Sequence, residues 1–288
     1  MQTGEETGIS TTLSTALILA GGAVAYAAIV LLVAPGETAR FFAWDIQPPA
    51  TAVFMGAFYA TAIPYLFVIG RPGTPWRRVR PVLPTLIALS TTMLVATALH
   101  LDRFIWSNPA AWAWAGLYLV YPPATVVLYR RHAQRAPGPE RVEVPVVRFL
   151  RPAALTGATA SAGLGVAFLL APVAMASLWP WDLTPLTGRV VGGWLLFFAA
   201  ALAGMGLERD WSSIRLLFPQ AALGMTLLLS GVARFRNSFH WERPASWVYV
   251  GAVVVALFFT VSIFVLHEQR SRRTLVARPS PVSDGSGA

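Results

Sequence analysis

Eight long apolar runs, separated by short polar stretches, organise the chain: Leu13 to Ala34, Ala50 to Gly70, Val82 to Leu99, Ala110 to Tyr129, Ala154 to Leu178, Val190 to Leu207, Ile214 to Ala233, and Ala245 to Leu266. Each is close to the roughly 20 residues that an α-helix needs to cross a hydrocarbon core. A transmembrane β-barrel would instead alternate apolar and polar residues over segments of about ten. The runs are continuous, and in lipid every backbone N–H and C=O must be satisfied within the structure, so helices are the spanning element. The expected fold is all-α, a polytopic transmembrane bundle of eight helices.

Composition agrees with that pattern. Of 288 residues, 56% are hydrophobic and only 12% charged, and the mean hydropathy is +0.58, well outside the soluble globular range. The first residues carry Glu5 and Glu6 and no basic side chain, and the first apolar run is longer than a signal-peptide core, so it is expected to stay as the first helix. The chain has no cysteine, which removes disulfides, thiolate metal ligands and cysteine nucleophiles.

Charge supplies orientation. If the helices alternate, Arg40, Arg103, Arg189, Arg234, Arg236 and Arg243 fall on one side, and the other 16 of the 22 basic residues, all arginine, fall on the opposite side. The positive-inside rule makes the richer side cytoplasmic, with both termini there, in a cell-membrane protein. The net charge of +9 therefore reads as arginine beside helix ends, where anionic lipid headgroups are the partners. No nucleic-acid partner is expected.

The chain also repeats itself. At an offset of 137, Pro35, Trp44, Asp45, Pro48 and Gly56 fall on Pro172, Trp181, Asp182, Pro185 and Gly193. At an offset of 135, Trp76, Arg80, Pro84, Thr91, Phe104, Trp106, Pro109, Trp112 and Gly116 fall on Trp211, Arg215, Pro219, Thr226, Phe239, Trp241, Pro244, Trp247 and Gly251. Shared hydrophobicity does not explain matched tryptophans and prolines. The expected organisation is a four-helix repeat over 1–131, an arginine- and proline-rich linker over 132–152, a second four-helix repeat over 153–273 and a disordered polar tail over 274–288. Because each repeat has an even number of spans, the two are expected to be related by a pseudo-two-fold axis along the membrane normal.

Candidate chemistry within the spans is sparse. None of the thirteen acidic residues falls in the middle of a run, which argues against a carrier or pump built on a midplane carboxylate. Pro64 and Pro122-Pro123 are expected to interrupt the second and fourth helices. Gly157, Ser161 and Gly165 form a stripe suited to close helix packing. Asn108-Pro109 and Thr184-Pro185 read as helix starts, and Asp45 and Asp182 are placed to cap the helices that follow them.

The duplication keeps polar and aromatic identities mainly in the loops opposite the arginine-rich side. The candidate ligand site is therefore a basin between the halves lined by Trp44, Asp45, Trp106, Trp181, Asp182 and Trp241, suited to a cationic or hydroxylated ligand or a lipid head. Interfacial anchoring by tryptophan is the simpler reading of the same residues. A zinc site from His100, Asp102, His240 and Glu242, or a triad using Ser107, has the right residue types but not the pattern. No metal, cofactor or enzymatic activity is expected. Two functions remain: transport of a small neutral or polar solute, or a membrane-embedded accessory or assembly subunit whose partner is another membrane protein or a second copy.

Overall fold

A computed structural model of the protein describes residues 8–135 and 144–276. Eight long helices appear among them: α1 (Thr11–Val33), α2 (Pro49–Ile69), α3 (Leu83–Ala98), α4 (Pro109–Arg135), α5 (Leu150–Leu170), α6 (Pro185–Leu207), α7 (Leu217–Arg234) and α8 (Pro244–Val276). A single helical turn precedes α3 (Trp76–Val79) and another precedes α7 (Trp211–Ile214). With those turns included, all eight are long and apolar enough to cross a membrane, and the chain is a multi-pass helical membrane protein.

The element ends differ from expectation in informative ways. Helix α4 runs on to Arg135 and α5 begins at Leu150, so the linker expected over 132–152 is helical at both margins, and 136–143 lies outside the described residues. Likewise α8 continues to Val276, three residues into the expected tail, whose remainder from 277 also lies outside them. Polar residues do not end a helix that is already nucleated, because each added residue gains a backbone hydrogen bond. The expected breaks at Pro64 and at Pro122-Pro123 do not occur, since these prolines sit inside continuous α2 and α4. Neighbouring helices hold such prolines in place within membrane bundles.

Loops at each end of the bundle hydrogen-bond to one another. At one end, here the tryptophan end, the Ile105 N–H donates to the Ala43 carbonyl at 2.9 Å and the His240 N–H to the Pro180 carbonyl at 2.8 Å. At the opposite, arginine end, the Ile9 N–H donates to Thr74 and the Val146 N–H to Arg209, both at 3.0 Å. The second bond of each pair lies 135 or 137 positions beyond the first.

Helix α1 packs on α2 and α5 on α6; α3 packs on α4 and α6, while α7 packs on α8 and α2. Helices α5 and α6 approach backbone to backbone, where a Cβ at Gly192 would lie 2.8 Å from the Gly165 carbonyl oxygen and one at Gly165 would lie 3.0 Å from that of Gly192. Ser161 donates to the Leu195 carbonyl at 2.7 Å along the same seam, so the small-residue stripe is where these backbones meet. One hydrophobic core, rich in aromatic rings, spans both halves towards the tryptophan end. Two smaller cores lie at the arginine end, one around Trp76 and one around Trp211.

Candidate functional site

The six candidate residues all lie at the tryptophan end, but in three layers. Trp44 and Trp181 are interior, at 2% and 1% exposure. Trp44 packs edge-on against Phe42 and Trp114, and Trp181 against Phe54, Trp179 and Phe239. Such T-shaped contacts place the positive ring edge on the negative face of the neighbour. Trp181 thereby reaches across to Phe54 of the first half, whereas the ring partners of Trp44 all belong to its own half, and both indoles spend their area on core packing. Polar satisfaction differs between them: the Trp181 indole N–H donates to the Thr51 hydroxyl at 2.7 Å, whereas the Trp44 indole nitrogen is buried without a partner. The counterpart of Thr51 at offset 137 is Gly188, which has no hydroxyl to offer.

Trp106 and Trp241 form a half-buried second layer. Trp106 stacks on Phe104 and leans on Trp112; Trp241 stacks on Phe239 and leans on Trp247. Their indole N–H groups donate to the carbonyls of Leu101 and Arg236 at 2.9 and 2.7 Å. Each ladder thus climbs from a buried Phe to an exposed Trp at the bundle edge, an arrangement suited to headgroup depth.

Asp45 and Asp182 form the surface layer, and neither caps a helix. Asp45 accepts from the Gln47 amide at 3.0 Å and from the Thr38 hydroxyl at 3.4 Å, while Pro48 precedes α2 without any side-chain cap. Asp182 meets His240 Nε2 at 2.9 Å, and α6 is capped by the reciprocal Thr184 and Thr187 pair. Asn108 does act as expected, accepting from the Ala110 N–H at 3.0 Å. The metal reading fails on geometry: His100 meets Arg189, Asp102 meets Arg103, and His240 lies between Asp182 and Glu242. Among the described residues no group of three or more ligating side chains could hold a metal ion.

His100, just beyond α3, has its pKa lowered from 6.5, chiefly because burial disfavours the charged ring and also because the Arg189 guanidinium lies beside it. Its Nε2 is 2.7 Å from Arg189 Nη1, and since guanidinium only donates, the imidazole nitrogen accepts.

Two histidines that sequence reasoning passed over hold the arginine end together. His132 stacks on Trp76, with ring centroids 5.3 Å apart, and its Nε2 accepts from the Ser10 N–H at the start of α1. His267 stacks on Trp211 at 4.2 Å and accepts from the Val147 N–H before α5 at 3.5 Å. The offset of 135 carries His132 onto His267, so the signal was present in the sequence. At the same end Arg80 makes a two-pronged ion pair with Glu208, Nε to Oε1 and Nη2 to Oε2 both at 2.9 Å, joining the turn before α3 to the end of α6.

Comparison with known proteins adds no relative: no protein-family model matches the chain, and no characterised protein or solved structure is similar to it. Function must be argued from the bundle itself.

Proposed function

We propose that this is a cell-membrane protein made of two tandem four-helix repeats related by a pseudo-two-fold axis along the membrane normal. Both termini are cytoplasmic, and the protein serves as a membrane-embedded accessory or assembly subunit. The repeat reading is supported by contacts that recur at offsets of 137 and 135: the paired loop hydrogen bonds, the His–Trp stacks and the Phe–Trp–Trp ladders. It is supported further by the exchange of partners in which α3 packs on α6 and α7 on α2. Orientation rests on the concentration of arginine at one end, where anionic lipid headgroups are the natural partners.

The observation that carries the subunit reading is the aromatic filling of the contact between the halves, with Trp181 of the second half bonded to Thr51 of the first. A contact of this kind behaves as a packed core, not as a surface that slides. The outward face of α8, with Phe258 and Val255 exposed, is open to lipid, another membrane protein or a second copy.

A second reading, passage of a small neutral or polar solute, draws on the division of the core. The halves share one ring-rich core at the tryptophan end, whereas the arginine end holds two smaller clusters, both touched by Leu217, with Arg80–Glu208 joining the halves beside them. Swelling of reconstituted vesicles in iso-osmotic urea or glycerol decides between them. The subunit reading predicts the rate of protein-free vesicles, together with a discrete higher-mass complex when the protein is extracted under mild conditions. Swelling above background that changes on Arg80→Gln would establish the conduit instead.

A further inference from the structure

We infer that Arg189 and His100 form an oxyanion site for a phosphate group at the contact of α3 with α6. Arg189 is the fifth residue of α6, about 6 Å inside the helix start at 1.5 Å per residue. A cation there sits at the positive end of the helix dipole, where a negative charge is the favoured guest. Its neighbours deepen the imbalance: Arg189 and Arg103 both act on His100 electrostatically, opposed by Asp102 alone, and Asp102 is already paired with Arg103. No described carboxylate forms an ion pair with Arg189.

The hydrogen bonds say which edge of the guanidinium is left over. Nη1 is held by His100 at 2.7 Å, whereas Nε is buried with no partner. In Arg80 the equivalent edge, Nε with Nη2, grips both oxygens of Glu208 at 2.9 Å. Arg189 therefore has its orientation set by His100 and a buried Nε–H that no protein acceptor satisfies, on a guanidinium whose fork matches two oxygens of a phosphate or carboxylate. A buried N–H without an acceptor is costly, and a bound oxyanion removes that cost.

The other half shows what the position looks like without a site. At offsets of 137 and 135, Ala52 and Phe235 stand opposite Arg189 and His100, so both polar partners are replaced together at the corresponding α7–α2 contact. This comparison rests on the repeat reading proposed above; the geometry of Arg189 does not. A phosphate placed there could belong to a lipid headgroup or to a soluble anion.

The experiment is calorimetric titration of the full chain in neutral detergent with short-chain phosphatidylglycerol in one arm and inorganic phosphate in the other. Arg189→Gln should weaken binding about ten-fold or more, as loss of a charge-assisted bidentate contact does. Arg71→Gln at the arginine end controls for general attraction and should leave the same tight site within about two-fold. Arg189→Lys keeps the charge and removes the fork, so it should also lose affinity; it serves as the test if Arg189→Gln fails to fold. Binding of the phospholipid alone assigns the site to lipid, and equal binding of inorganic phosphate assigns it to a soluble anion. Undiminished binding by both Arg189 variants overturns the proposal. Because the measurement is made in detergent, it stands whichever way the chain is oriented and whether or not the halves are repeats.

Discussion

Trp76 stacks on His132 with ring centroids 5.3 Å apart and planes 23° from parallel, and the same imidazole accepts the Ser10 N–H at 3.1 Å. Its Nδ1 lies 2.8 Å from the Leu128 carbonyl, so Nδ1 carries the proton and Nε2 is free to accept. One ring thus ties the start of α1, the turn before α3 and the end of α4 into a single unit. His132→Phe keeps the stack and orphans the Ser10 N–H, so it should cost about 1 kcal/mol, and His132→Ala, which loses both, about 2–3 kcal/mol. Thermal unfolding in detergent of these variants and of their His267 counterparts checks the order; equal stability of Phe and Ala variants would mean that the stack contributes nothing.

Thr51 and Trp181 should behave as a coupled pair. Thr51→Val leaves the Trp181 N–H buried and unpaired, which costs about 1–3 kcal/mol. Trp181→Phe removes the donor, so Thr51→Val should cost much less in that background. Additive losses in the four-variant cycle would remove the hydrogen bond from the account of how the halves are joined.

Glycines separate into two classes that one substitution distinguishes. Gly165→Ala and Gly192→Ala each place a methyl against the backbone of the facing helix, at 3.0 and 2.8 Å from a carbonyl oxygen, and should force α5 and α6 apart at a cost of about 1–3 kcal/mol. Gly116→Ala and Gly251→Ala meet nothing within 4 Å and should be neutral or stabilising by up to about 1 kcal/mol, the helix propensity of alanine over glycine. Unfolding midpoints of the four variants test this split.

Much of this architecture is legible in the residues themselves. Eight apolar runs announce eight helices because the hydrocarbon core sets their length, and Asn108 and Thr184 mark helix starts through chemistry that is local. What the sequence does not disclose is depth. Trp44-Asp45 and Trp181-Asp182 are adjacent pairs, and nothing in their order says that the indole turns inward while the carboxylate stays in water. That division depends on which helix packs opposite, a long-range fact. His100 and Arg189 lie 89 positions apart and break the repeat, so the sequence shows a metal-ligand type and a loop charge without showing that the two meet. His132 and His267 match at offset 135 but sit beyond the apolar runs, where no hydrophobic pattern marks them.

His100 gives the fold a sensitivity to acid. Its pKa is lowered in the folded protein, chiefly by burial and then by Arg189, so below the unfolded value of 6.5 the unfolded chain binds a proton more readily than the folded one. Stability from this group is fully present above that pH and falls as the pH drops through and beneath it. His100→Phe should flatten this part of the pH profile between pH 7.5 and 5, with unfolding midpoint as the readout. An unchanged slope would place the acid sensitivity elsewhere.

We propose that two tandem halves enter the membrane in the same direction, with the tryptophan end outside. Ser107 and Glu242 are exposed counterparts at offset 135 in the loops of that end, and Arg71 and Arg209 are exposed at the other. The chain has no cysteine, so single replacements report without background. With a membrane-impermeant thiol reagent on intact cells, Ser107→Cys and Glu242→Cys should both be labelled, and Arg71→Cys and Arg209→Cys only after permeabilisation. Labelling of Ser107→Cys and Glu242→Cys from opposite sides would contradict the account, because it would make the halves inverted and not parallel.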